Sequence, residues 1–161
     1  MAIAPDLIAT PGVVDLSFRR LLPAPRARVW AAWTEAARFA QWFGPHGSRV
    51  DPCEVDARVG GRLFFCHRHL DYPDVWVLGE YTEVVPMERL VFTVGFADPD
   101  GQPRPRDNFA AQSRIEVVLS DHAAGTEMRI RHTGLSSDQG ESIGWRQSLE
   151  RLESLFRTDP A

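Results

Sequence analysis

His67 and His69 stand two apart in the run Leu63-Phe64-Phe65-Cys66-His67-Arg68-His69. On a β-strand that spacing sends both imidazoles to one face. Two imidazoles on one face are half of a zinc-type metal site. His132 or Glu54 could supply a third ligand by residue type, yet nothing in the spacing brings either to the pair. The reading is that no metal is bound. His67 and His69 are then polar lining at a pocket mouth or ordinary strand-end positions. His132 shares the parity of Met128 and Ile130, the apolar side of its strand, and a lone His there is a hydrogen-bonded core or helix-entry residue rather than a base. Glu54, Glu80 and Glu116 are scattered along strands, where alternation turns carboxylates to water, so no general acid–base pair stands out.

Other chemistries lack their residues. No nucleophile elbow, phosphate-cradling glycine loop or His-Glu-x-x-His motif is present, and Gly60-Gly61 reads as a hairpin turn. All 18 basic residues are Arg, which removes Schiff-base and lysine-base mechanisms. No catalytic residue and no cofactor is assigned. Cys53 and Cys66 flank a hairpin, but Cys53 goes with Val55 and Ala57 while Cys66 opposes Leu63, Phe65 and His67. Both apolar sets turned inward leave the sulfurs on opposite sides of the sheet, as free thiols.

The aromatic residues are more informative. Phe65, Trp76, Tyr81, Phe92 and Trp145 lie on elements that border one groove, together with Ile115, Val117, Met128, Ile130 and Leu149. With His67, these eleven are the expected ligand-binding residues. They form either a filled core or a mostly apolar pocket with a few polar groups.

A final helix must cover that groove. Trp145, Leu149, Leu152 and Phe156 fall at offsets 0, 4, 7 and 11, one helical face. Gly144 before the stripe is expected to permit close approach to the sheet. Ser136 and Gln139 have capping-box spacing ahead of it. Upstream, residues 1–12 read as a loose tail and residues 13–22 as a first strand. Pro25 opens a short helix through Thr34 that buries Val29, Trp30 and Trp33. Thr34 is placed to cap a second, residues 35–43, that buries Phe39, Trp42 and Phe43. Strands follow at 49–57, 61–69, 75–85, 89–96, 113–119 and 126–132. Residues 98–108, rich in Pro, Gly and Asp, read as a solvated loop, with a lid as the alternative. Strand, two short helices, six strands and a long helix make an α+β antiparallel meander of about seven strands curled around the helix.

The chain has 161 residues, 43% of them apolar, and a net charge of −4. That fits one globular domain, expected over residues 13–158. The acidic balance disfavours nucleic acid. No apolar run is long enough to insert in a membrane, and the first residues lack a signal-peptide pattern, so a cytoplasmic protein is expected.

Four segments resemble a known family. They are Val29-Trp30-Ala31-Ala32-Trp33-Thr34 with Gln41-Trp42-Phe43-Gly44-Pro45, and Asp56-Ala57-Arg58-Val59-Gly60-Gly61. The third is Gly79 to Pro86 with Arg89-Leu90-Val91-Phe92-Thr93. The fourth runs from Gly125-Thr126 to His132, then Gly134-Leu135 and Gly144-Trp145. In that order they resemble the SRPBCC or START-like superfamily, in the branch named after the activator of heat shock protein 90 ATPase. The resemblance implies the helix-grip fold, with a hydrophobic ligand held between sheet and C-terminal helix. Some members of the superfamily are cyclases, dehydratases or hydrolases, which leaves a cavity enzyme as the alternative. The named activators carry a further N-terminal domain. Only about 12 residues precede the first strand here, so direct activation of the chaperone is not expected. A homodimer is left open.

Overall fold

The computed structural model describes residues 14–138 and 140–158. The expected tail and the Gln139 half of the capping box lie outside the described residues. In chain order the elements are β1 (Val14–Leu22), α1 (Arg26–Thr34), α2 (Ala36–Phe39), β2 (Ser48–Val55), β3 (Arg62–His69), β4 (Val75–Val85), β5 (Arg89–Ala97), β6 (Ser113–His122), β7 (Gly125–Leu135) and α3 (Glu141–Thr158). The strands form one antiparallel sheet in the order β1-β7-β6-β5-β4-β3-β2. Only β1 leaves sequence order, which puts the chain's first strand beside its last. The curled sheet and the long helix are the helix-grip arrangement.

Side-chain alternation builds this sheet. In β6 and β7, Ile115, Val117, Leu119, Met128, Ile130 and His132 are buried, and most of the residues between them are exposed or half-buried. Register carries the buried set across the strands in rows. Tyr81 pairs with Phe92, Phe92 with Ile115, and Ile115 with His132. A second row runs Leu90, Val117, Ile130, Phe18. These rows face α3, whose Trp145, Leu149, Leu152 and Phe156 are all buried as the stripe requires. No helix among the described residues is long and apolar enough to cross a membrane.

Three local expectations change. The helix expected over residues 35–43 is regular only over Ala36–Phe39. Beyond it the amides of Gln41 and Trp42 bond to carbonyls three residues back, so the chain continues as a tightened turn. Thr34 is not a cap: its hydroxyl donates to Trp30 O within α1, at 2.8 Å, and Glu35 holds the cap position without a side-chain bond. The last hairpin is longer than its sequence pattern, with paired residues out to His122 and Gly125. Both cysteines are free. Cys53 pairs in register with Phe65 and Cys66 with Trp76, so the thiols lie on opposite faces.

Candidate functional site

The space between sheet and α3 is filled at one end and hollow at the other. The hollow end is a cavity of about 190 Å³. Its apolar wall comes from Phe43, Phe65, Val77, Val94, Ile115 and Trp145. Polar groups enter it as His67, Ser113, His132, Ser137, Glu141 and Ser148. The sheet contributes through parity. Phe65 and His67 are two apart on β3, Val75 and Val77 on β4, Ser113 and Ile115 on β6, so each pair turns to the same face.

The first turns of α3 supply the opposite wall. Glu141, Gly144, Trp145 and Ser148 are spaced to share one helical face. A Cβ placed on Gly144 would meet nothing within 4 Å. The expected role of Gly144 in close packing is therefore corrected: its missing side chain leaves space in the cavity. Gly44 is the opposite case. It has φ +112°, and a Cβ there would lie 2.8 Å from His67 Nδ1. Glycine lets the chain turn at Gly44 and bring Phe43 over the imidazole.

Hydrogen bonds tie this turn to the helix. Gly44 N donates to Ser148 Oγ at 2.9 Å, and His46 N to Gln147 Oε1 at 2.9 Å. Arg151 Nη1 donates to Gly44 O at 3.0 Å and to Pro45 O at 3.3 Å, and Nη2 to Gln41 O at 3.3 Å.

The two cavity histidines differ in their partners. The His67 ring stacks on Phe43, with centroids 5.8 Å apart and 11° between planes, and meets Phe65 edge-on at 4.9 Å. Its Nδ1 is shut off from solvent and has no hydrogen-bond partner among the described residues. Burial, and secondarily the positive charge of Arg151, lower its pKa to about 4. His132 is bonded at both nitrogens. Trp145 Nε1 donates to Nδ1 at 3.0 Å, and Nε2 lies 2.8 Å from Ser113 Oγ. Burial alone lowers its pKa to about 4. Both rings are neutral near pH 7. Glu141 is raised by burial and by the nearby charge of Asp138.

Four of the eleven residues expected from sequence line the cavity: Phe65, His67, Ile115 and Trp145. Six belong to the packed core instead. Tyr81, Phe92, Val117, Met128, Ile130 and Leu149 are at most 2% exposed and do not line the cavity. Trp76 does not face the cavity at all. It pairs with Cys66, on the parity opposite to Val75 and Val77, and stacks on Phe64 at 5.4 Å on the outer face. Arg68 lies over its ring.

Sequence reasoning missed Phe43, which was expected in the core, and Ser113, Ser137 and Glu141. Parity was the available signal for Ser113, which shares the side of Ile115 and Val117. Phe43 had none, because its direction depends on the turn at Gly44. His69 sits by Tyr72, ring centroids 4.6 Å apart, and its Nδ1 accepts from Asp71 N. Among the described residues no group of three or more His, Cys, Asp or Glu could hold a metal ion.

Comparison with known proteins agrees with this architecture. No curated protein matches the chain. A crystal structure of a protein from Chromobacterium violaceum is 27% identical, with a TM-score of 0.76, and the match covers 88% of this chain and 96% of that one. The AHSA1 protein from Silicibacter pomeroyi is 24% identical at a TM-score of 0.77, covering 91% and 99%. A solution structure from Arthrobacter aurescens is 23% identical at 0.78, covering 89% and 86%. The last two likenesses speak for the fold alone. The family model for the Activator of Hsp90 ATPase homolog 1-like proteins matches residues 23–157, from the end of β1 to the last turn of α3. With the match spanning nearly every element that grips the helix, the chain belongs to the Activator of Hsp90 ATPase homolog 1-like family.

Proposed function

We propose that this protein binds a compact, mostly apolar small molecule in the cavity under the first turns of α3. One observation carries the reading. The concave face is lined by Phe43, Phe65, Val77, Val94, Ile115 and Trp145 around open space, although the same sheet packs solidly a few residues away. Its volume, about 190 Å³, lies below the ~300–1,000 Å³ usual for ligand pockets, which favours a ligand of one or two rings. The fold family commonly holds hydrophobic ligands, which adds support without naming one.

The test is a titration of the full chain with neutral one- and two-ring aromatics, read by thermal stabilisation and by NMR. The expected result is a raised Tm, with shifts concentrated at Phe65, Ile115, His132 and Trp145. Shifts confined to the outer face around Trp76, or no binding by any compound, would overturn it.

A cavity enzyme would need a poised base. His132 does not fit that role, because neither ring nitrogen is free to take a substrate proton. Its contact with Ser113 is also the reverse of an activated serine, because the imidazole donates to the hydroxyl instead of accepting from it.

A further inference from the structure

Trp145, His132 and Ser113 form a hydrogen-bonded chain whose direction is fixed by its first member. An indole N–H can only donate. Trp145 Nε1 lies 3.0 Å from His132 Nδ1, so Nδ1 must present its lone pair. In a neutral imidazole the proton then sits on Nε2. That N–H points at Ser113 Oγ, 2.8 Å away, and the serine oxygen accepts it. The Ser113 hydroxyl proton cannot return to His132. Among the described residues Ser113 Oγ makes no other hydrogen bond, and Ser113 lines the cavity.

From this geometry we infer that Ser113 is a preset hydrogen-bond donor that selects ligands carrying a carbonyl or similar acceptor oxygen on an otherwise apolar ring system. The inference rests on the binding reading above and sharpens it. A hydroxyl free to rotate serves donors and acceptors alike, whereas one already accepting from an imidazole is biased towards donation, and each bond in such a chain polarises the next. The same chain leaves Ser113 without a base, so its role is recognition rather than attack. His132 and Trp145 act through Ser113 as positioning residues. A second polar group supports a site built for a ligand with a polar end. Ser137 Oγ, also on the cavity wall, is buried without a partner among the described residues. A buried hydroxyl left unpaired is costly, and a ligand oxygen or a water must offset that.

The experiment compares two probes of nearly equal shape, 1-tetralone and tetralin, on the full chain by calorimetry or NMR titration. The wild type is expected to bind the ketone more tightly. Ser113→Ala should weaken 1-tetralone by about threefold to tenfold, the range of one hydrogen bond, and leave tetralin unchanged. Equal loss for both probes, or for neither, overturns the donor role while the cavity reading stands. Failure of the wild type to bind either probe overturns the reading and the inference together. A second measurement does not depend on a variant folding. Long-range proton–nitrogen NMR at pH 7 should show His132 neutral with its proton on Nε2, and a proton on Nδ1 overturns the chain as drawn. Trp145→Phe removes the N–H that sets the direction, so the ketone preference should fall while tetralin still binds. An undiminished preference in that variant also overturns it.

Discussion

Over the last turns of α3, Leu149, Leu152 and Phe156 meet Leu90, Val117, Leu119 and Met128, together with Val29 and Trp33 of α1, in one continuous apolar cluster. Over its first turns Glu141, Gly144, Trp145 and Ser148 meet Phe65, Val77 and Ser113 across open space. One helix and one sheet make both ends. The difference lies in side-chain size beside the buried stripe, since Gly144 and Ser148 border the open end, while Leu155, two turns beyond Ser148, packs against the core. Two helical turns set apart a half that holds the fold from a half free to hold something else.

The largest effect expected from this contrast is on stability. Leu149→Ala, at a fully buried position, should cost about 2–5 kcal/mol in urea denaturation, the range for a core leucine. Val77→Ala, at a half-buried position facing the cavity, should cost clearly less. Equal losses would erase the distinction between the two ends.

Acid should also expose it. His132 has a folded pKa of about 4 against 6.5 when unfolded. Between those values the unfolded chain binds more protons, so stability is complete above about pH 6.5 and is lost as pH falls towards about 4. The loss attributable to His132 is up to about 3 kcal/mol. Denaturation at pH 7 and pH 4.5, with His132→Gln for comparison, reads it. His67, lowered to the same value, keeps its own share of the loss in that variant, so a variant as pH-sensitive as the wild type would show that His132 contributes none.

Filling the hollow is a smaller change. Gly144→Leu should lower 1-tetralone affinity at least tenfold, with stability unchanged or raised by up to ~1 kcal/mol, because the side chain enters open space and leucine favours helix over glycine. A large loss of stability would mean the space was not open. The smallest effect is expected on the outer face, where Trp76→Ala should leave 1-tetralone binding within twofold by calorimetry. A larger change would return Trp76 to the site.

The architecture could be read closely from residue order. The α3 stripe, the strand parities and the four family segments each place elements where they are found, and His132 has the expected surroundings of a hydrogen-bonded histidine at the helix start. The hollow was harder to locate. Tyr81 and Trp76 lie on opposite parities of β4, so parity alone could have separated them. The further separation of Tyr81, Phe92 and Leu149 from Phe65 and Trp145 depends on which register rows α1 and the later turns of α3 cover. That is a property of packing between distant elements, and no local pattern encodes it. Phe43 shows the same limit, because the conformation of Gly44 decides whether the ring joins the core or walls the cavity.

The bonds from Arg151, Ser148 and Gln147 to residues 41–46 fasten the aromatic wall at Phe43 to the helix by polar bonds. Ring packing on Phe65 and His67 joins the wall to β3, and Ser48 at the start of β2 donates from its amide and its hydroxyl to Pro45 O. Hydrogen bonds resist displacement along specific directions, while stacked rings slide at little cost. The gripping helix and this turn therefore form one jaw, hinged to the sheet at Ser48, and β3 forms the other. A larger guest would part them along the greased seam between Phe43 and β3, and the width of the bite would follow from the hold of five side-chain bonds at and behind the cavity edge.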